Sequence, residues 1–269
     1  MATPRSDELR ALAQRLADAL PVEEVALTGS VSRGVADDVS DIEMLVVTPD
    51  QLSLDACFAL AAAAGLTGLD TWGDPSTPSR RVSGYLDGVP IETIWWHRAY
   101  ADEQLAAPSQ ALGDALVHAV PLKTGGLLAR WQQRLAVVPD EVALARIEEA
   151  AQRWGGFTPA GLLTVARPND SLARVEWMVD AAARVLAIVY AVNRVWQPKT
   201  KRLAARAEAL AVKPDRLAER IEAAFDERDP RTALRILTEL QLDTVRLAPP
   251  GPYVDRARTW LAEAVELLR

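Results

Sequence analysis

The sequence predicts an α+β protein: an N-terminal domain built on a mixed sheet with flanking helices, followed by a C-terminal α-helical bundle. Three observations carry this. Through the first hundred residues, short β-prone runs alternate with stretches of helical spacing. From Ala101 onward strand-type runs nearly vanish, and Ala/Leu/Arg/Glu-rich stretches follow one another, separated by Pro or Gly. The chain has 269 residues, 49% of them hydrophobic and 25% charged, which suits ordinary folded domains and not a disordered chain. The two domains read as 1–100 and 101–269.

Each element has its own signal. Between Asp7 and Leu20, residues Leu9, Leu12, Ala13, Leu16 and Leu20 form one helical stripe, ended by Pro21. Glu24 to Thr28 is a β-prone run that stops at Gly29-Ser30, and Asp41 to Val47 is a strand closed by Thr48-Pro49. Leu52 to Ala64 is Ala-rich and helical, and Leu66 to Trp72 reads as a further strand. Val82 to Trp96 is the clearest hairpin, because Asp87-Gly88 between its two extended runs tolerates the positive φ of a two-residue turn. Beyond it, helices are expected near 101–118, 125–136, 140–153, 171–195, 200–211, 214–227, 230–246 and 253–268. Pro230 opens one of them, and the Pro249–Pro252 stretch separates the last two.

Composition removes several functional classes. Thirty Lys plus Arg against 37 Asp plus Glu leave a net charge of −7, which argues against a protein that coats nucleic acid. A single cysteine, Cys57, can form neither an internal disulfide nor a cysteine zinc cage. With only His97 and His118 present, any metal is expected to be a hard, oxygen-liganded ion such as Mg²⁺. The start MATPRSDELR lacks a signal-peptide core and no apolar run is long enough for a transmembrane helix, so the expected location is cytoplasmic.

Chemistry concentrates between Val25 and Val47. One strand delivers Gly29-Ser30 into a turn that opens a short helix, and after ten intervening residues a second strand begins Asp41-Ile42-Glu43. Side chains at i and i+2 of a strand share a face, so Asp41 and Glu43 project together about 7 Å apart along the chain. Carboxylates that close repel unless protonated or bridged by a cation. A divalent metal resolves the repulsion at neutral pH, and Mg²⁺ takes a couple of carboxylates together with substrate phosphates. Backbone N–H groups at a helix start form a cradle for such phosphates. The pair and the cradle together point to phosphoryl or nucleotidyl transfer.

This arrangement resembles the signature of the polymerase β-like nucleotidyltransferase superfamily: Gly29-Ser30, ten residues, then Asp41-Ile42-Glu43 followed by apolar residues. Within it the chain is most similar to bacterial aminoglycoside-type adenylyltransferases, which join a small nucleotidyltransferase domain to a helical, substrate-binding one. The resemblance implies a third carboxylate on a later strand, and Glu92 occupies the matching position as metal ligand, general base toward an acceptor hydroxyl, or both. It also implies ATP as co-substrate, held by Gly29, Ser30, Arg33 and Lys201. Lys201 ends an Asn193-to-Lys201 stretch similar to one whose lysine faces the nucleotide in these relatives. Glu43 departs from the pattern, since the family more often has Asp there.

The implied activity is Mg²⁺-dependent transfer of a nucleoside monophosphate to a hydroxyl of a small acceptor such as an aminoglycoside. Competing readings are a nucleotidyltransferase acting on protein or RNA, and a non-catalytic nucleotide-binding or antitoxin-type module. Asp37 and Asp38 are expected as turn formers, Trp177 and Trp196 as core, and Glu176 and Asp180 as a solvated ion-pair face. His97 and His118 are expected to be structural.

Overall fold

A computed structural model of the chain describes residues 2–74, 76–152 and 159–269. It divides into two compact units, Met1–Ala136 and Val137–Arg269. The first contains α1 (Pro4–Ala19), β1 (Glu24–Thr28), α2 (Gly29–Ser32), β2 (Ile42–Thr48), α3 (Leu54–Ala63), β3 (Thr67–Thr71), β4 (Arg80–Leu86) and β5 (Val89–His97). It continues with α4 (Arg98–Ala106), α5 (Gln110–Val117), β6 (Val120–Lys123) and α6 (Leu127–Leu135).

The six strands form one mixed sheet in the order β3-β4-β5-β2-β1-β6. β2 and β5 run parallel, and every other neighbouring pair is antiparallel. The alternation of each strand divides the sheet into two faces. On one face Val25, Leu27, Ile42, Met44, Val46, Val82, Ile91 and Trp95 are buried in a single core with Leu9, Leu16, Cys57 and Ala61 from α1 and α3. On the other, Ala26, Leu45, Val47 and Trp96 are buried at the end of the sheet that α4 and α6 touch. Helices therefore flank both faces, but the second face is covered over only part of its length.

Local chemistry explains the elements. Thr3 caps α1 by accepting from the Ser6 N–H at 3.2 Å, and Pro4 occupies the first turn, where its missing donor costs nothing. The β4–β5 hairpin closes on Asp87 (φ 52°) and Gly88 (φ 79°) with Leu86 opposite Val89, the turn its sequence predicts. Glu24, 4% exposed, reaches across to the start of α6 and accepts from the N–H groups of Gly125 (2.6 Å), Leu127 (3.3 Å) and Leu128 (3.1 Å). A distant carboxylate thus caps a helix whose own N-cap, Gly126, has no side chain to do so.

The second unit is helical throughout its described residues: α7 (Asp140–Gln152), α8 (Pro159–Val165), α9 (Ser171–Val192), α10 (Leu203–Glu208), α11 (Leu217–Asp226), α12 (Pro230–Leu247) and α13 (Pro252–Leu268). Its core gathers Val185, Leu186, Val189 and Tyr190 of α9 with Leu234, Leu237 and Leu240 of α12 and Ala264 and Leu268 of α13. Asn193, at the end of α9, donates to the carbonyls of Val189 and Val212 and accepts from the Val212 N–H at 2.9 Å, tying that helix to the segment after α10.

Several expectations need correction. The compact first unit extends to Ala136 rather than to residue 100. The reason is β6, a short strand that the sequence reading missed; it pairs antiparallel with β1 and draws its flanking helices into the first unit. The expected helix 101–118 is broken at Ala107–Ser109, where Pro108 removes a donor and Ser109 caps α5. Helix α8 was not anticipated, and residue 153 of the expected helix 140–153 lies outside the described residues. Among the described residues no helix is long and apolar enough to cross a membrane.

Candidate metal centre

Three acids converge where the second face of the sheet loses its helical cover. In the parallel register of β2 and β5, Glu43 lies directly beside Glu92. Asp41, two residues before Glu43, shares its face and stands just ahead of the strand. One carboxylate oxygen from each of Asp41, Glu43 and Glu92 lies within 4.8 Å of the other two, and all three residues are half-buried. Along the same strands Leu45 and Trp96 point to this face and are buried, so the acids sit at the boundary between covered and open sheet. The row across the strands continues with Ser83 beside Glu92 and Thr28 beside Glu43.

The donor set fits a hard cation. All three ligands are carboxylate oxygens, no histidine or thiol joins them, and their mutual repulsion at neutral pH is relieved by a divalent ion. Among the described residues no other group of acids, histidines and cysteines meets the same condition.

Gly29 sets the position of one of these arms. It adopts φ +73°, and a Cβ built there would fall 1.9 Å from Glu43 Oε2. Only a residue without a side chain lets this carboxylate rest against the turn. Ser30 follows in the single-turn helix α2; its hydroxyl makes no hydrogen bond among the described residues, while its carbonyl accepts from Val35 N–H at 3.1 Å.

Arg33 is hydrogen-bonded within the first unit. One terminal nitrogen donates to the Gly29 carbonyl at 3.0 Å; the other donates to the Asp114 carbonyl at 3.2 Å and to Asp114 Oδ2 at 2.5 Å. The side chains are 15% and 5% exposed, making this a nearly buried ion pair between α2 and α5. Both terminal nitrogens of its guanidinium thus donate to protein acceptors. Asp114 escaped the sequence reading; its one signal is that it is the sole acid of α5 and falls beside the buried Gly113 and Leu116.

The remaining expected residues are distributed as follows. Lys201 belongs to the second unit, on an exposed turn ahead of α10. Asp37 forms the predicted turn, bonding with the Ser40 hydroxyl at 2.8 Å, and His97 caps α4 by accepting from Tyr100 N–H. His118 Nδ1 lies 3.0 Å from the Asp114 carbonyl. Trp196 is buried, Trp177 packs against the core of the second unit, and Asp180 pairs with Arg184.

Residues 105–203 match a family described as a domain of unknown function (DUF4037). That stretch lies wholly C-terminal to the three acids. No match was found among curated proteins. Among matching solved structures is a nucleotidyltransferase-like protein from Exiguobacterium sibiricum 255-15, 14% identical, covering 98% of this chain and 74% of that one at a TM-score of 0.31. Identity and TM-score this low do not establish a shared fold.

Proposed function

We propose that the protein is a divalent-metal-dependent nucleotidyltransferase that moves AMP from ATP to a hydroxyl of a small acceptor and releases pyrophosphate. The convergence of Asp41, Glu43 and Glu92 carries this reading. When bound there, Mg²⁺ supplies positive charge against the triphosphate and against the charge that develops in the transition state. Asp41 and Glu43, on one strand with the Gly29 turn against Glu43, are the ligands. Ser30, beside them, offers its hydroxyl to a phosphate oxygen. Glu92, on the neighbouring strand, takes the proton of the acceptor hydroxyl as that oxygen bonds to the α-phosphorus and the bond to the pyrophosphate oxygen breaks. By resemblance, an aminoglycoside-like antibiotic is the favoured class of acceptor, and Lys201 is a nucleotide-binding residue.

The test is pyrophosphate release from Mg-ATP in the presence of a panel of hydroxyl compounds, aminoglycosides included. Asp41→Asn is expected to keep the fold and lose turnover. Glu92→Gln separates two roles: as chiefly a general base it binds Mg-ATP normally in calorimetry while losing roughly two to four decades of rate. As chiefly a ligand it loses affinity and rate together. No turnover and no Mg-ATP binding by the unaltered protein would overturn the assignment.

A further inference from the structure

We infer that Asp114, through Arg33, is a positioning residue for the metal centre, and that Arg33 serves the metal arm and not the triphosphate. The inference rests on the metal reading of Asp41, Glu43 and Glu92. A short chain of contacts links the two places. Asp114 Oδ2 holds one end of the Arg33 guanidinium at 2.5 Å, and the other end holds the Gly29 carbonyl at 3.0 Å. The Ser32 hydroxyl donates to that same carbonyl at 3.0 Å. The Gly29 peptide is thereby fixed in its left-handed conformation, at φ +73°, and the Glu43 carboxylate rests against the Cα of Gly29 so closely that no Cβ fits between. Any rotation of this peptide moves the surface on which the ligand lies.

Electrostatics supports the assignment. A guanidinium that is mostly buried is stable only with its partners in place, and Asp114, 4% exposed, is the carboxylate that pairs with it. Swinging Arg33 out to meet a phosphate would take the guanidinium away from the buried Asp114 carboxylate, whose other oxygen lies 3.7 Å from His118 Nδ1. The planar fork of arginine is what allows simultaneous contact with a carbonyl on one side and a carboxylate on the other; lysine cannot reproduce it.

Position and mere structure can be separated because a buried ion pair is often replaceable by an apolar pair at little cost in stability, and the Gly29 and Asp114 carbonyls keep Ser32 Oγ and His118 Nδ1 as neighbours. The double variant Arg33→Met/Asp114→Leu is therefore expected to unfold in urea near the wild-type midpoint while binding Mn²⁺ tenfold or more weakly, measured by the electron paramagnetic resonance signal of free Mn²⁺. The size follows from the effect of removing residues that orient metal ligands, commonly ten- to a hundredfold. Asp114→Asn, which keeps shape and one acceptor, is expected to lose less. Mg-ATP affinity gives the opposing reading. If Arg33 is a phosphate ligand restrained by Asp114, Asp114→Asn should tighten Mg-ATP binding; if it positions Glu43, the same variant weakens it. Wild-type Mn²⁺ affinity in the stable double variant, or tighter Mg-ATP binding in Asp114→Asn, overturns the inference. Failure of the unaltered protein to bind Mn²⁺ overturns the metal reading itself, and is recognised because no variant is then needed to see it.

Discussion

Gly29→Ala is expected to cost little stability and much metal affinity, and Gly88→Ala supplies its control. Both glycines have nearly the same backbone, φ +73° and φ +79°. An alanine in that region costs about 1–2 kcal/mol relative to glycine, so each variant should lose stability of that order. Their surroundings differ completely. A Cβ at Gly88 meets nothing within 4 Å, whereas one at Gly29 falls 1.9 Å from Glu43 Oε2 and 2.9 Å from its carboxyl carbon. The glutamate arm is flexible and can swing away cheaply, so the clash adds little to the folding cost. Restoring an ordinary contact of 3.4 Å displaces the oxygen by about 1.5 Å. Metal–oxygen distances tolerate only about 0.2 Å, so a displacement of that size would weaken the carboxylate's hold on a bound ion. Mn²⁺ affinity should therefore fall tenfold or more in Gly29→Ala and stay unchanged in Gly88→Ala, while urea midpoints shift alike. Mn²⁺ titration beside urea unfolding reads both quantities. Unchanged affinity in Gly29→Ala, or equal loss in the two variants, would refute the argument that Gly29 exists to seat Glu43.

Two further outcomes follow from buried groups away from the site. Glu24→Ala removes the acceptor of three N–H groups at the start of α6, two of them buried, and should destabilise the first unit by about 2–4 kcal/mol in urea unfolding. A loss under 1 kcal/mol would show that solvent satisfies those donors equally well. Cys57 is fully buried, and burial pushes its thiol from 9.0 up to about 11. The folded state thus holds this proton more tightly than the unfolded chain. The stability it contributes is complete below pH 9 and declines as pH rises toward 11, by about 2–3 kcal/mol at most. Urea midpoints of the unaltered protein should fall across that window more steeply than those of Cys57→Ala, and parallel curves would contradict it.

Much of this protein is written in local sequence. The Asp87-Gly88 turn, the capping Thr3 and the period-two runs of β2 and β5 each carry their own instruction within a few residues, because turn strain, cap geometry and side-chain alternation are local effects. The pairing of Asp41 with Glu43 on one face follows from strand geometry in the same way. Whether Glu92 joins them depends on register: the parallel alignment of β2 with β5 places Glu43 beside Glu92, and a slip of one residue would turn Glu92 to the opposite face. That register is set by packing of Ile42, Met44, Ile91 and Trp95 in one core, which no short window contains. Strand β6 went unread for a related reason, since four residues carry too little period to be recognised without the β1 edge they complete. Arg33 shows the limit most clearly. Its place after Gly29-Ser30 fits an anion-binding role, and only the fold brings Asp114, 81 residues onward, to claim its charge. Partners of a buried ion are chosen by desolvation, and desolvation is a property of the folded interior and not of neighbours in the chain.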